Sequence, residues 1–388
     1  MPAQKPALII QYTDPVEEFQ AWLVIDGLNH PLAAGGMRVQ QSLTLEHLQK
    51  MARNMTKKMR VWGLPINGAK SGIAYDPASP GKDEAIRRFM QAIKPYIVER
   101  YSMGGDLNTN MPRLDQIAQS IGIPSIKTAI ASAQGMSLSY FDARYAVLEQ
   151  PAIGTWSLGQ LRAGYGVGMA ASALLDYLEI EAQNATAAVQ GFGTLAKASM
   201  VGLLEAGVQI KAIADAEKCI SFDNDQRLDF NALLSYEGTL LPEFHSGDGI
   251  RVSPRDEIFS VDADVLMLEA IENAITVDNA TSVRARGVVP GANLAVTREA
   301  EEILFGRGVL VLPCFVAGSG GTVAMNGLFG PKEHPAPRQV LDYVKTAMST
   351  KVGELLHESA HSNQTPTQVA ERLVADEPRV GRTLPYAL

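Results

Sequence analysis

Apolar residues recur along this chain with two periods, and the places where the period changes divide it into elements. Two runs near the start, Ala7-Leu8-Ile9-Ile10 and Ala21-Trp22-Leu23-Val24-Ile25, are separated by Asp/Pro turn chemistry and predict strands. Leu45, Leu48, Ala52, Met55 and Met59 then recur every three or four residues. They form one apolar stripe on a helix that starts near Ser42 or Thr44 and carries Lys58 near its end. Ile86, Phe89, Met90, Ile93 and Ile97 give a second stripe from about Asp83 to Arg100, and Leu114, Ile117 and Ala118 belong to a third. From Ala129 to Arg162 no period stands out, and the Gly, Pro and Ser content suits a connection between domains.

Beyond Val167 the pattern becomes helix, strand (Ala185 to Val189), glycine turn, helix (Leu195 to Glu205), Gly207 and strand (Val208 to Ala214). Further buried strands are predicted at Val265 to Leu268, Val288 to Val289 and Val309 to Leu312. This alternation implies a parallel sheet with crossover helices. After Gly330, Val340, Val344 and Met348 at four-residue steps predict a closing helix that packs back on the first domain. At 388 residues the chain is long for a single core. The expected fold is therefore α/β in two domains, residues 1–150 and a Rossmann-type 151–335, with 336–388 as a helical C-terminal segment.

Composition narrows the chemistry. Hydrophobic residues make up 46% and charged residues 20%, as in an ordinary globular protein. A formal charge of -8 and the lack of a basic block argue against nucleic acid as a partner, which leaves small molecules. Cys219 and Cys314 make neither a disulfide framework nor a zinc spacing, so no metal is expected. With no secretory leader and no apolar run near the ~20 residues that cross a bilayer, the chain is expected in the cytoplasm and off the membrane.

The segment Gly191-Phe192-Gly193-Thr194-Leu195-Ala196 follows a strand, opens a helix and matches G-x-G-x-x-A. Gly191 permits a tight turn, Gly193 lets backbone approach a pyrophosphate, Ala196 allows close packing, and the helix N-terminus offers N–H groups to the anion. Asp215, at the end of the next strand, is placed to accept hydrogen bonds from a ribose diol and to repel a 2′-phosphate. NAD is therefore favoured, while Lys211 and Lys218 beside that strand end leave NADP open.

Lys70 stands among Gly68, Ala69 and Gly72, where its stem meets tightly turning backbone. Desolvation and the charge of Lys58 would both lower its pKa, as a proton acceptor requires, while Lys58 stays charged to hold a carboxylate; on the residues alone, two solvated surface lysines is the other reading. Asp106, in a glycine-led loop, fits either a proton shuttle or a cap on the following helix.

Gly35-Gly36-Met37-Arg38, Met55-Thr56-Lys57-Lys58, Leu64 to Gly72, Asp106-Leu107-Asn108-Thr109-Asn110, the glycine turn, Gly291-Ala292-Asn293 and Gly320-Gly321 together resemble the glutamate/leucine/phenylalanine/valine dehydrogenase family in order and spacing. The resemblance covers roughly residues 30 to 330. It implies an N-terminal domain for substrate and oligomerisation, a Rossmann domain and a cleft between them. It also implies reversible oxidative deamination of an L-amino acid with NAD. By the same resemblance Lys58 binds the α-carboxylate, Lys70 activates water and Asp106 relays protons. Gly36, Met37, Met55, Thr322 and Met325 would line the substrate pocket, and Ala270 and Asn293 would touch the cofactor. Similar proteins form hexamers or octamers, so a homo-oligomer is expected.

Several positions depart from the family. Glutamate-specific members carry a lysine where this chain has Ala34 and a serine where it has Met325, so an apolar substrate is expected. Ala163, Cys314 and Gly318 replace polar residues, and Glu269 replaces a small one. Two other readings stay open: a glutamate-type activity with a rearranged pocket, and a catalytically silent dinucleotide-binding paralogue.

Overall fold

The computed structural model describes residues 5–222, 229–247, 249–375 and 384–388. The chain forms two compact units: Met1–Ala146 with the C-terminal tail, and Val147–Ala375.

The first unit is built on a five-stranded sheet of β1 (Leu8–Thr13), β2 (Gln20–Ile25), β3 (Leu32–Val39), β4 (Ile66–Ile73) and β5 (Tyr101–Gly105), in the order β1-β2-β4-β3-β5. β1 and β4 run antiparallel to β2, whereas β3 is parallel to both β4 and β5. Helix α1 (Leu45–Val61), capped by Thr44 whose Oγ1 accepts from the His47 N–H, covers one face. Its stripe packs Leu48 and Ala52 onto Trp22 and Val24. Helices α2 (Lys82–Ala92), α3 (Lys94–Glu99) and α4 (Met111–Ser120) cover the other face around Phe89, Ile97 and Ile117. The single helix expected from Asp83 to Arg100 is two, because Pro95 has no N–H for the helical ladder and crowds the carbonyl four residues back. Residues 129–162, without a visible period, hold two short helices, α5 (Ala129–Gln134) and α6 (Leu138–Tyr145), and a small hairpin of β6 (Pro151–Ile153) and β7 (Trp156–Ser157).

The second unit holds a seven-stranded sheet. Its strands are β8 (Thr186–Gln190), β9 (Gln209–Ala214), β10 (Lys218–Phe222), β11 (Ile250–Pro254), β12 (Val265–Leu268), β13 (Gly287–Pro290) and β14 (Leu310–Val311), in the order β11-β10-β9-β8-β12-β13-β14. The five strands from β9 to β14 in this order are parallel; β10 and β11 add an antiparallel edge that periodicity did not suggest. Helices α7 (Leu158–Tyr177) and α8 (Thr194–Ala206) pack backbone to backbone: a Cβ on Gly164 would stand 2.1 Å from the Leu195 carbonyl oxygen. They are followed by α9 (Phe230–Ser235), α10 (Arg298–Gly306), α11 (Cys314–Ala317), α12 (Gly320–Phe329), α13 (Pro337–Ser362) and α14 (Pro366–Leu373).

The expected return of segment 336–388 to the first domain is corrected here. The stripe of Val340, Val344 and Met348 continues through Val352, Leu355 and Leu356, and this buried face lies on α7 and α12 inside the second unit. The tail belongs to the first unit. There Tyr386 N–H donates to Gln134 Oε1, and Gln134 Nε2 donates to the Tyr386 carbonyl, each at 3.0 Å.

Candidate active site

Alternation along β3, β4 and β5 decides which side chains meet. Lys70 lies one residue before the Ser71–Met37 pair of β4 and β3, and Gly36 is paired with Gly104 of β5, so Lys70, Gly36 and Gly104 share the α1 face. The Lys70 side chain crosses β3 over the bare surface of Gly36 and places Nζ 2.9 Å from Asp106 Oδ2. Gly36 must be bare, since a Cβ there would come 2.9 Å from the Asp106 Cβ. Arg38, two residues on and on the same face, donates from Nε to the same oxygen at 2.9 Å. Gly68 seats the helix above: a Cβ would lie 2.2 Å from the Thr56 nitrogen and 2.3 Å from the Ala52 oxygen. Helix α1 thus rides directly on β4 and brings Lys58, 6% exposed, to this face.

Behind the pair, on the opposite face, Tyr101 donates to the Gly35 carbonyl at 3.1 Å, and its hydroxyl lies 2.9 Å from Ser71 Oγ. The loop after β5 is fixed residue by residue. Asp106 N–H donates to Thr109 Oγ1, Thr109 Oγ1 donates to the Met37 carbonyl, and Asn108, at φ 62°, donates to the Val39 carbonyl. The cap of α4 is Asn110, whose Oδ1 accepts from the Arg113 N–H, so Asp106 is not a cap.

Burial, at 3% exposure, pulls the Lys70 ammonium below its ordinary pKa; Asp106 opposes this and Arg38 adds to it. The opposing cation is Arg38, where the sequence suggested Lys58. Burial raises the Asp106 carboxyl, but Lys70 and Arg38 override it and hold the group at about 2. The arrangement is an amine that holds its proton less tightly than an ordinary lysine, bonded to a carboxylate kept ionised by its two cationic neighbours.

Two readings of this region change. Lys70 sits on a fully buried strand, and the glycines around it serve close packing, with no tight turn at that point. Met37 points to the opposite face, where it is 0% exposed in the core with Phe89 and Tyr101, and so leaves the substrate pocket. Met55 is half-buried on α1.

In the second unit Gly191 has φ 127°, a conformation that L side chains rarely adopt, and Gly193, the residue before α8, has open space where a Cβ would be. Thr194 is exposed at the first turn, Leu195 is half-buried and Ala196 is fully buried. The turn fits a pyrophosphate, which needs bare backbone at a helix N-terminus. The Phe192 ring is buried against Lys197 and Tyr236, so this residue offers backbone only. Ala270 is exposed just past β12, and Asn293 is half-buried past β13. Thr322 is half-buried and Met325 is 4% exposed on α12.

Asp215 ends β9 as expected, but its carboxylate accepts from Glu217 N–H at 2.7 Å, Lys218 N–H at 2.8 Å and Leu241 N–H at 2.5 Å. These bonds hold the β9–β10 turn and leave an acceptor site on Oδ2. Lys211 Nζ donates to the Asp262 carbonyl at 2.5 Å, and Lys218 Nζ to the Pro242 carbonyl at 3.0 Å.

Three departures from the family pattern, Glu269, Cys314 and Gly318, meet at the loop after β13. The Glu269 carboxyl lies against Gly291, a Cβ on Gly318 would stand 2.6 Å from the Gly291 oxygen, and Leu294 N–H donates to Cys314 Sγ at 3.4 Å. Sequence reasoning missed Arg38 as a partner of Asp106, although it stands in the quoted Gly-Gly-Met-Arg run. No metal-holding cluster and no helix long and apolar enough to cross a membrane occurs among the described residues.

The family model for the Glu/Leu/Phe/Val dehydrogenase dimerisation domain matches residues 8–122, and that for glutamate/leucine/phenylalanine/valine dehydrogenase matches residues 157–329. Glutamate dehydrogenase of Thermotoga maritima is 31% identical over 315 residues, 79% of this chain and 71% of that protein. The NAD-specific glutamate dehydrogenase of Clostridioides difficile and the NADP-specific one of Synechocystis are 28% and 29% identical, each over 74% of this chain and 66% of its own. The solved hetero-hexameric glutamate dehydrogenase of Thermus thermophilus, in its Leu-bound form, superposes with a TM-score of 0.74 at 25% identity, covering 95% of this chain and 87% of that one. The chain belongs to the glutamate/leucine/phenylalanine/valine dehydrogenase family and is an oxidoreductase that acts on the CH–NH2 group of an amino acid with NAD(P).

Proposed function

We propose that this protein catalyses the reversible, NAD-dependent oxidative deamination of an apolar L-amino acid to a 2-oxo acid and ammonia. The observation that carries the chemistry is the buried Lys70 amine bonded at 2.9 Å to Asp106. When bound, the nicotinamide supplies the acceptor for the hydride that leaves the substrate Cα. Lys58 holds the α-carboxylate as a point charge. Lys70 takes a proton from the water that adds to the iminium carbon. With Lys70 neutral, Asp106 loses one of the two cations that hold it ionised and can pass protons to and from the amino nitrogen, so that ammonia departs and the carbonyl forms. The main-chain groups of Gly191, Gly193 and Thr194 hold the pyrophosphate.

The apolar preference rests on Ala34, which shares the Gly36 face and puts a methyl group where glutamate-specific relatives carry an ammonium, and on the buried thioether of Met325. The NAD preference rests on Asp215, a carboxylate at the end of β9 that would repel a 2′-phosphate, while Lys211 and Lys218 each spend one donor on a backbone carbonyl. Assembly as a homo-oligomer through the first unit is supported by the dimerisation-domain match and by the edge strand β1, which exposes Ile9. Light scattering on the purified protein distinguishes this from a monomer.

One observation favours the glutamate-type alternative. Ser102 is paired with Ala34 across β3 and β5, and its Oγ accepts from the buried Lys127 ammonium at 3.2 Å, so a cation reaches that face from another element. Consumption of NADH with ammonium and either 4-methyl-2-oxopentanoate or 2-oxoglutarate decides. A kcat/KM at least roughly tenfold higher for the branched acid is expected, and the reverse ratio overturns the apolar reading. Binding of NADH without turnover of any 2-oxo acid supports the silent paralogue.

A further inference from the structure

At the end of β12 the fold buries a carboxyl group that closes no hydrogen bond, with Ser199 beside it turned to the Ala196 carbonyl. Glu269 is 6% exposed, and neither Oε1 nor Oε2 has a hydrogen-bond partner among the described residues. Buried polar atoms are paired in the great majority of cases, and an unpaired one marks a ligand, a proton-transfer role or strain.

Its position selects among these. A Cβ on Gly191 would meet the Glu269 backbone at 3.1–3.2 Å, and a Cβ on Gly291 would stand 2.4 Å from Glu269 Oε2. Gly191 ends β8 and Gly291 ends β13, and both strands flank β12 in parallel. The carboxyl therefore stands where the carboxyl ends of three adjacent parallel strands meet, the crevice in which a doubly wound sheet takes its ligand.

The groups around it are neutral or already engaged. From α8 comes Ser199, whose hydroxyl donates to the Ala196 carbonyl at 2.9 Å. The glycine turn and the loop after β13 contribute Gly191 and Gly291. Burial pushes the Glu269 pKa up to about 8, Ser199 acts in the opposite sense, and no charged neighbour enters the balance.

We propose that Glu269 makes dinucleotide binding proton-linked: its neutral carboxyl forms part of the cofactor's wall, and its ionisation puts a buried anion beside the anionic dinucleotide and weakens binding. Two like charges in a water-poor crevice repel strongly, so binding raises the proton affinity of Glu269, and by linkage affinity falls as the proton is lost. The idea rests on the reading of this crevice as the dinucleotide site.

The test is calorimetric titration of the folded protein with NADH between about pH 6 and about pH 9.5, repeated in buffers of different ionisation enthalpy. The wild-type Kd is expected to stay flat on the acid side and to rise towards roughly tenfold per pH unit above about pH 8, with uptake of about one proton on binding there. E269Q, which keeps the shape and cannot ionise, is expected to hold the acid-side affinity throughout and to take up no proton. E269A gives the same flat profile and serves if the glutamine variant does not fold. Unchanged slope and uptake in these variants overturn the proposal while leaving the dinucleotide reading intact. No binding of NADH to any of the proteins at any pH overturns both.

Discussion

Lys70 and Asp106 divide one task by environment: burial loosens the proton of the first, and two cations keep the second ionised. K70A is expected to lower kcat by at least about 10³-fold with native circular dichroism, and K70R is expected not to rescue it, because a guanidinium does not deprotonate in this range. D106N leaves the Lys70 and Arg38 charges side by side without an anion. It is expected to lose turnover together with roughly 3 kcal/mol of stability, read by urea denaturation. Near-wild-type turnover in K70A or D106N would remove the mechanism. Glu269 produces a pH effect of known sign. The unfolded carboxyl ionises near 4.5 and the folded one near 8, so between these values the folded chain holds a proton that the unfolded chain has released. Stability therefore falls as pH climbs from about 4.5 to about 8 and is level beyond. E269Q abolishes that decline. Its gain over wild type, absent near pH 4, reaches roughly a few kcal/mol by about pH 8 in parallel urea titrations. An equal gain at both ends would deny the residue a titrating role.

At the scale of elements, legibility followed burial. Helices α1, α2 and α4 showed in the sequence because each buries one stripe and exposes the rest, and the βαβ run around Gly191 showed because its strands are short apolar blocks between glycines. Strands β3, β4 and β5 did not show. Ile66–Ile73 is buried at every position and reads as Ile-Asn-Gly-Ala-Lys-Ser-Gly-Ile, which has neither alternation nor an apolar run. Lys70 and Asp106 were legible as chemistry only through the family resemblance, and the bond between them, which spans β3, was not legible at all. Asp215 was placed correctly at its strand end, but no spacing rule reveals that three backbone N–H groups donate to its carboxylate. The seat of α1 on Gly68 gives a prediction at this scale. G68A drives a methyl group into the α1 backbone and is expected to cost roughly 1–3 kcal/mol and to depress turnover by shifting Lys58 relative to Lys70; stability and kcat within error of wild type would refute that seat.

At the scale of the molecule, the two units keep separate cores, and the chain enters the second one at Val147 before returning at its end to the first. The clamp between Gln134 and Tyr386 joins residues 252 positions apart. Gln134 is 8% exposed, so losing Tyr386 would take these two hydrogen bonds from a buried amide. On a ribosome, the first unit emerges early yet waits for this partner until the whole nucleotide-binding unit has been made. The half that carries Lys70 and Asp106 therefore gains this pair of hydrogen bonds only after the residues of the second unit have been synthesised.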